Sequence, residues 1–369
     1  MTSTADHSAR EPGDGDRFGP LGRLALLAAG FALAVTLVIT LPGVDEVRDR
    51  FAAARPGWIA VAAACSLGSM LGFVRALWAA FDRLMPWRRA VVLGFAEQAA
   101  NVLVPAGGVG GPALGTVVMR RAGVPGRLAA ERHAVLFLAT SFVSFAALAL
   151  AGVLVAAGVL GGGPPLALTL GPAAGAFTVL GVAALSARSA PPSRPGPGRV
   201  RQAVWRGRRF VHDGLSATWR LLHRGDRLLI AGAIGYYAFD VGALRASFAA
   251  VGGHAPPLGV FVLAYTLGHT GALLPTPGGI GGTEGGLIGM FVAYGTPIGV
   301  ATAAVLAYRV FQLGLPAILG GACLLRLRRY EAGDLAVAPS TAEAPPLPAP
   351  ATAPHWALTA RLAAARRGR

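Results

Sequence analysis

Long apolar blocks alternate along this chain with short polar stretches in which the basic residues collect. Six blocks approach or exceed the roughly twenty residues that a helix needs to cross bilayer hydrocarbon: Leu24–Leu41, Trp58–Phe81, Ala134–Leu160, Pro165–Leu185, Leu228–Val251 and Ile298–Leu325. Two further apolar regions are interrupted. Ala90–Val104 runs into Pro105-Ala106-Gly107-Gly108-Val109-Gly110-Gly111 before Pro112–Met119 resumes the apolar pattern. Leu258–Leu274 runs into Pro275-Thr276-Pro277-Gly278-Gly279-Ile280-Gly281-Gly282-Thr283-Glu284 before Gly285–Tyr294. Hydrocarbon offers no partner to backbone groups freed by proline and glycine, so such breaks persist at membrane depth only inside protein or beside a wet cavity. Each interrupted region is therefore expected to be a re-entrant helical hairpin. The fold class expected is an all-α polytopic membrane protein with about six full spans and two hairpins.

The two breaks share a register. Pro105 and Pro275 stand 170 residues apart, as do Arg75-Ala76-Leu77-Trp78-Ala79-Ala80 and Arg245-Ala246-Ser247-Phe248-Ala249-Ala250. Gly123-Val124-Pro125 and Gly295-Thr296-Pro297 form a third match, shifted by two residues. Repeat one is expected over about 57–160 and repeat two over 228–325, each a span, a hairpin and a span.

Composition fits this class. Charged residues make up 14% of the chain, against about 25% in soluble domains. The net charge of +16 comes from arginine, since lysine does not occur. Because the arginines lie between apolar blocks, they are read as topology signals rather than as a nucleic-acid surface. Arg83, Arg88 and Arg89 place the end of the second span in the cytoplasm, and the Pro- and Arg-rich loop 186–227 is cytoplasmic by the same rule. The first hairpin has basic residues on both flanks (Arg83 to Arg89 and Arg120 to Arg132), whereas the flanks of the second carry none. The hairpins should therefore enter from opposite faces, as in an inverted repeat. Both termini are expected in the cytoplasm of a cell (inner) membrane protein. Val200–Leu222 carries the apolar and basic faces of a helix lying on the membrane surface, and Val44–Arg55 is expected to be a short loop.

Residues 1–22 and 331–369 are expected to be disordered tails around a membrane domain spanning 24–328. Leu24–Leu41 is expected to be a retained span rather than a signal peptide, because its polar leader is long and no small-residue cleavage site comes after it. Cys65 and Cys323 sit in apolar blocks without metal-ligand spacing, so neither a disulfide framework nor a metal is expected, and no cofactor.

Several polar residues stand where apolar ones are the rule. Arg75, Arg245 and Arg309 lie within spans, where an arginine costs about 2.5–3.5 kcal/mol on insertion scales and is a functional candidate by default. The competing reading is a side chain that snorkels to the interface. Arg309, beside Gln312, is the deepest. A guanidinium fork suits two phosphate oxygens. Glu97, Gln98 and Asn101 share a face of the first hairpin arm, where Glu97 is a candidate to neutralise Arg75. Glu284, after Thr283, fits either the charge at a helix start or a partner of Arg309 or of a cationic headgroup. Asp240 and His269 are further polar residues in apolar surroundings. With the break residues Pro105, Pro275, Gly278, Gly279, Gly281 and Gly282, these form the candidate substrate site, and no catalytic constellation is apparent.

The stretch 274–284, together with Ala307-Tyr308-Arg309-Val310-Phe311-Gln312-Leu313, Pro316 and Gly320, resembles the membrane domain of the lysylphosphatidylglycerol synthase/flippase family. The resemblance implies a domain that moves a lipid-linked headgroup, over residues 24–328. In the first break, Gly107–Gly111 lacks the Glu that comes after the first proline in many family members. The segment beyond Leu325 is short and Pro-rich, so the soluble aminoacyltransferase domain of bifunctional members, and lipid aminoacylation, are not expected.

The expected function is a flippase-like transporter of a phosphate-bearing lipid or lipid-linked headgroup. Its rivals are a membrane-embedded transferase acting on a lipid-linked substrate, and a non-transporting scaffold of a lipid or envelope synthesis complex. The expected partner is a membrane lipid and not nucleic acid, and a partner enzyme or a homo-oligomer stays open.

Overall fold

The computed structural model describes residues 45–104, 108–160, 164–190, 193, 198–223, 226–273 and 276–329. The expected first span and both tails lie outside the described residues, as do Pro105 and Pro275. Every regular element among the described residues is helical. They are α1 (Asp45–Ala52), α2 (Pro56–Ala80), α3 (Trp87–Leu103), α4 (Gly110–Arg121), α5 (Gly126–Ala156), α6 (Leu166–Arg188), α7 (Arg199–His223), α8 (Arg227–Ala250), α9 (Leu258–Gly268), α10 (Gly282–Ala293), α11 (Ile298–Leu315) and α12 (Gly321–Arg329). Tight helical turns at His269–Leu273 and Pro277–Gly279 connect α9 to α10, and a π-helical stretch, Pro316–Gly320, joins α11 to α12. Among the described residues five helices are long and apolar enough to cross a membrane: α2, α5, α6, α8 and the continuous segment Ile298–Leu327. The chain is an all-α, multi-pass membrane protein.

A preceding proline sets five of the twelve helix starts among the described residues. Pro86, Pro125, Pro165, Pro257 and Pro297 immediately precede α3, α5, α6, α9 and α11. Its fixed φ and missing donor cost nothing where the chain enters a helix. The helix ends repeat as well. At the end of α4 the Val124 N–H reaches the Met119 carbonyl at 3.0 Å, and at the end of α10 the Thr296 N–H reaches Phe291 at 2.9 Å. Gly123 (φ +90) and Gly295 (φ +88) supply the left-handed residue that this cap needs. The same cap closes α2, through Arg83 N–H to Trp78, and α8, through Gly253 N–H to Phe248.

One expected loop is a helix. Asp45–Ala52 forms α1, with Asp45 and Glu46 in its first turn and an Arg50–Glu46 ion pair at 2.9 Å. Charges of this sign at these ends suit the helix dipole, and burial of Val47 anchors the helix. The surface helix expected at 200–222 is present as α7.

The centre of the molecule is the crossing of α2 and α8. Gly68 faces Phe239, Gly72 faces the Tyr236 backbone and Ala76 faces Gly232. As one number rises the other falls, so the two helices run antiparallel. A Cβ on Gly232 would come within 2.5 Å of the Ala76 nitrogen, and one on Gly72 would collide with the Tyr236 nitrogen, so the backbones themselves touch. Ser69 Oγ donates to the Tyr236 carbonyl at 3.0 Å across this contact. Two apolar cores flank it. One gathers around the C-terminal end of α2 with Leu77, Phe81, Leu93 and Leu136. The other gathers around the C-terminal end of α8 with Phe248, Phe261, Phe291 and Tyr308. Because the helices are antiparallel, the cores lie at opposite ends and leave the middle for polar residues. Outward faces carry exposed apolar side chains such as Phe137, Leu150, Phe177 and Leu185, as a lipid-facing surface requires.

Gly72→Leu should therefore force the helices apart, at a cost of about 1–3 kcal/mol or more for overpacking. Gly175→Leu on α6, where a Cβ meets nothing within 4 Å, should be neutral. Thermal unfolding of the two purified variants in detergent checks this, and equal midpoints would contradict the backbone contact.

Candidate functional site

Midway along α2 and α8 lies a cavity of about 280 Å³. α2 contributes Ser66 and Ser69, and α3 with the first break contributes Gln98, Asn101 and Gly108. α8 contributes Tyr236 and Asp240, and the second break and α11 contribute His269, Gly278, Gly279, Arg309 and Gln312. Ser66 Oγ is buried and has no hydrogen-bond partner among the described residues, which leaves a donor and acceptor for a ligand.

Arg309 is the hub. Its Nε donates to Glu284 Oε1 at 2.6 Å, one Nη donates to the Gly278 carbonyl at 2.6 Å, and the other donates to Gln312 Oε1. Glu284 is shared, because its Oε2 accepts the Gly281 N–H at 2.7 Å and so closes the first turn of α10. The second break can present a carbonyl to the guanidinium only because Gly278 (φ +60), Gly279 (φ +67) and Gly281 (φ +86) occupy the left-handed region, which a Cβ disfavours. The Thr276 hydroxyl donates to the Ile280 carbonyl at 3.0 Å and ties the same turn.

The network continues away from Arg309. Gln312 Nε2 donates to His269 Nε2 at 3.4 Å, while His269 Nδ1 donates to the Tyr265 carbonyl at 3.2 Å. Asp240 Oδ2 accepts the Tyr265 hydroxyl at 2.5 Å and the Tyr308 hydroxyl at 2.7 Å. The Tyr308 hydroxyl also lies 3.4 Å from His269 Nε2, so polar side-chain contacts run from α8 through α11 to the second break. A buried charge is tolerated when it is paired and hydrogen-bonded in this way.

The first break is built from other parts. Asn101 Oδ1 accepts the Gly111 N–H at 2.6 Å, which pins the start of α4 to α3. Glu97 is fully buried, and its Oε1 meets His133 Nε2 of α5 at 3.0 Å, while Oε2 has no hydrogen-bond partner among the described residues. His133 Nδ1 donates to the Ala129 carbonyl at 2.9 Å. Gly115 of α4 closes over the pair, with no room for a Cβ.

The structure thus brings Asn101, Gly278, Gly279 and Arg309 to the cavity wall and sets Glu284, Gly281 and Gly282 directly behind them. Glu97 lies one helical turn from Asn101 and takes His133, rather than Arg75, as its partner. Arg75 and Arg245 are exposed and do not line the cavity. Arg245 donates to the Pro256 carbonyl at 3.3 Å and lies 5.7 Å from the Phe261 ring. Sequence reasoning missed His133, Ser66, Ser69, Tyr236, Tyr265 and Tyr308. Tyr308 had a signal, since it shares a helical face with Gln312 next to Arg309. His133 had none, because its partner is 36 residues away. Among the described residues no group of three His, Cys, Asp or Glu side chains is placed to hold a metal ion.

A family model described as "Lysylphosphatidylglycerol synthase TM region" matches residues 24–320. A search of curated proteins finds no match to the chain. The matched segment includes the α2–α8 crossing, both breaks and the whole Arg309 network. The chain belongs to the lysylphosphatidylglycerol synthase transmembrane-region family.

Proposed function

We propose that this protein is a flippase-like transporter that moves a phosphate-bearing lipid, or a lipid-linked headgroup, across the cytoplasmic membrane. The observation that carries the reading is the polar cavity at the middle of the α2–α8 crossing, walled by residues of α2, α3, α8 and α11 and of both breaks. Substrate sites at the interface of two repeats, beside broken helices, are the general plan of secondary transporters. The cavity of about 280 Å³ lies at the small end of ligand pockets, which run from about 300 Å³ upward. It suits a headgroup whose acyl tails stay in lipid. The antiparallel α2 and α8, with equivalent caps at their ends, support an inverted repeat, and the family supports a lipid substrate.

Arg309 is the proposed phosphate contact. Three of its five N–H donors are engaged by protein, and the remaining two, with the Ser66 hydroxyl and the Asn101 side-chain NH2, are available to a headgroup. Arg309→Gln should lower translocation by about tenfold or more, the loss expected when a hydrogen bond to a charged group worth about 1.5–3 kcal/mol disappears. Glu284→Gln should act in the same direction by loosening the guanidinium. The assay tracks tail-labelled fluorescent phosphatidylglycerol in proteoliposomes with a quencher added outside. Wild-type rates in folded Arg309→Gln protein would remove this residue from the mechanism. A change in lipid mass after turnover would favour the transferase.

The arginine pattern supports a topology with the two hairpins entering from opposite faces and both termini in the cytoplasm. In a background lacking Cys65 and Cys323, Arg121→Cys should be labelled by an impermeant thiol reagent only from the cytoplasmic side. Ala293→Cys should be labelled only from outside. Labelling of both from one side would end the inverted-repeat reading.

A further inference from the structure

A second cavity, of about 300 Å³, lies away from the first, between α5 and α6 and beneath the amphipathic helix α7. Its walls are apolar: Leu138 and Phe142 of α5, Leu180 of α6, and Leu215 and Trp219 of α7. It opens on the outer surface of the bundle, because Phe142 and Val179 at its wall are 41% and 45% exposed. The roof is docked by specific bonds. His212 Nε2 donates to the Ser189 carbonyl at 2.9 Å, and Ser216 Oγ donates to the Ala187 carbonyl at 3.0 Å. Arg188, the last residue of α6, lies at this roofed end with its guanidinium 4.6 Å from the Trp219 ring centre. Among the described residues Arg188 makes no ion pair, whereas Arg209 and Arg127 of the same region are both paired with Asp213.

We propose that this groove binds an anionic phospholipid of the leaflet that α7 covers. One acyl chain lies between α5 and α6, and the phosphate sits on Arg188 at the edge of α7. Two features choose this occupant over others. The slot is apolar along its length and opens where the surrounding side chains are lipid-facing. Its polar end carries an exposed arginine without a counter-charge among the described residues, in the most basic region of the chain. Clustered arginines at a membrane surface favour anionic headgroups through the leaflet's negative potential, and the planar fork matches phosphate oxygens. The bound lipid would bridge α6 and α7 and hold the surface helix down. This site is separate from the transport cavity and does not rest on the transporter reading.

The test uses the purified full-length protein in detergent, with dioleoylphosphatidylglycerol or dioleoylphosphatidylcholine added and the unfolding midpoint measured. A ligand that binds the folded state raises the midpoint by mass action. Phosphatidylglycerol should raise it by a few degrees more than phosphatidylcholine, and added salt should shrink that difference. Made in an Arg309→Gln background, which silences the transport cavity, Arg188→Gln should abolish the difference while leaving the lipid-free midpoint of that background in place. Leu180→Trp, which fills the slot, should remove the response to phosphatidylglycerol. Equal responses to the two lipids in the wild type, or a phosphatidylglycerol advantage that survives Arg188→Gln, would overturn the proposal. If Leu180→Trp does not fold, the Arg188→Gln comparison decides alone.

Discussion

The backbone contact between α2 and α8 is the constraint on which the rest of the molecule depends. Lipid tails are as apolar as leucine, so helices at membrane depth gain little from hiding apolar side chains from one another. They associate instead where small residues let main chains approach and where polar groups find partners. Gly72 and Gly232 provide the first condition, and the Ser69 hydroxyl on the Tyr236 carbonyl provides the second. The crossing sets Ser66 and Ser69 opposite Tyr236 and Asp240. Bulkier residues there would separate the helices and dissolve the cavity wall that they jointly form.

Given that crossing, the polar groups at its centre need internal partners, since hydrocarbon supplies none. Arg309 meets a carboxylate, an amide oxygen and a backbone carbonyl, and Glu284 uses both oxygens. Removing one member would leave another buried and unsatisfied, which costs more than the net worth of a single hydrogen bond. The broken backbone and the buried charge therefore support each other. The left-handed glycines supply the carbonyl that Arg309 needs, and Arg309 holds a turn that would otherwise lose partners.

Much of this was legible in the chain because it is encoded locally. Prolines mark helix starts, the Gly123 and Gly295 caps need φ above zero, and apolar block length reports span length. The 170-residue register pairs α2 with α8, the two helices that cross in the structure, without knowledge of any contact. Glu284 could be placed both at a helix start and beside Arg309, and it occupies both roles. The features that stayed hidden depend on contacts between distant segments. Pairing of Glu97 with His133 comes from how α3 lies against α5. Arg75 and Arg245 fall in equivalent apolar runs, yet helix rotation, which no single span records, turns both outward. The α1 helix was missed because eight residues with several charges read as a loop until Val47 finds a core to enter.

The engagement of Arg309 has a mechanistic consequence for the proposed transporter. Its spare N–H donors belong to the two Nη atoms that already hold Gln312 and the Gly278 carbonyl. A phosphate that engaged both Nη atoms squarely would compete with those contacts. Releasing Gly278 would free the turn between Thr276 and Ile280, and releasing Gln312 would free His269 and, through it, the Tyr308–Asp240 arm. A ligand shifts a conformational equilibrium only by the difference in its affinity for the two states. In the proposed transporter that difference would have a physical source, because the donors offered to the headgroup are also the ones that fasten the second break. Headgroup binding and the position of the break would then be linked through one guanidinium, with no separate relay needed between them.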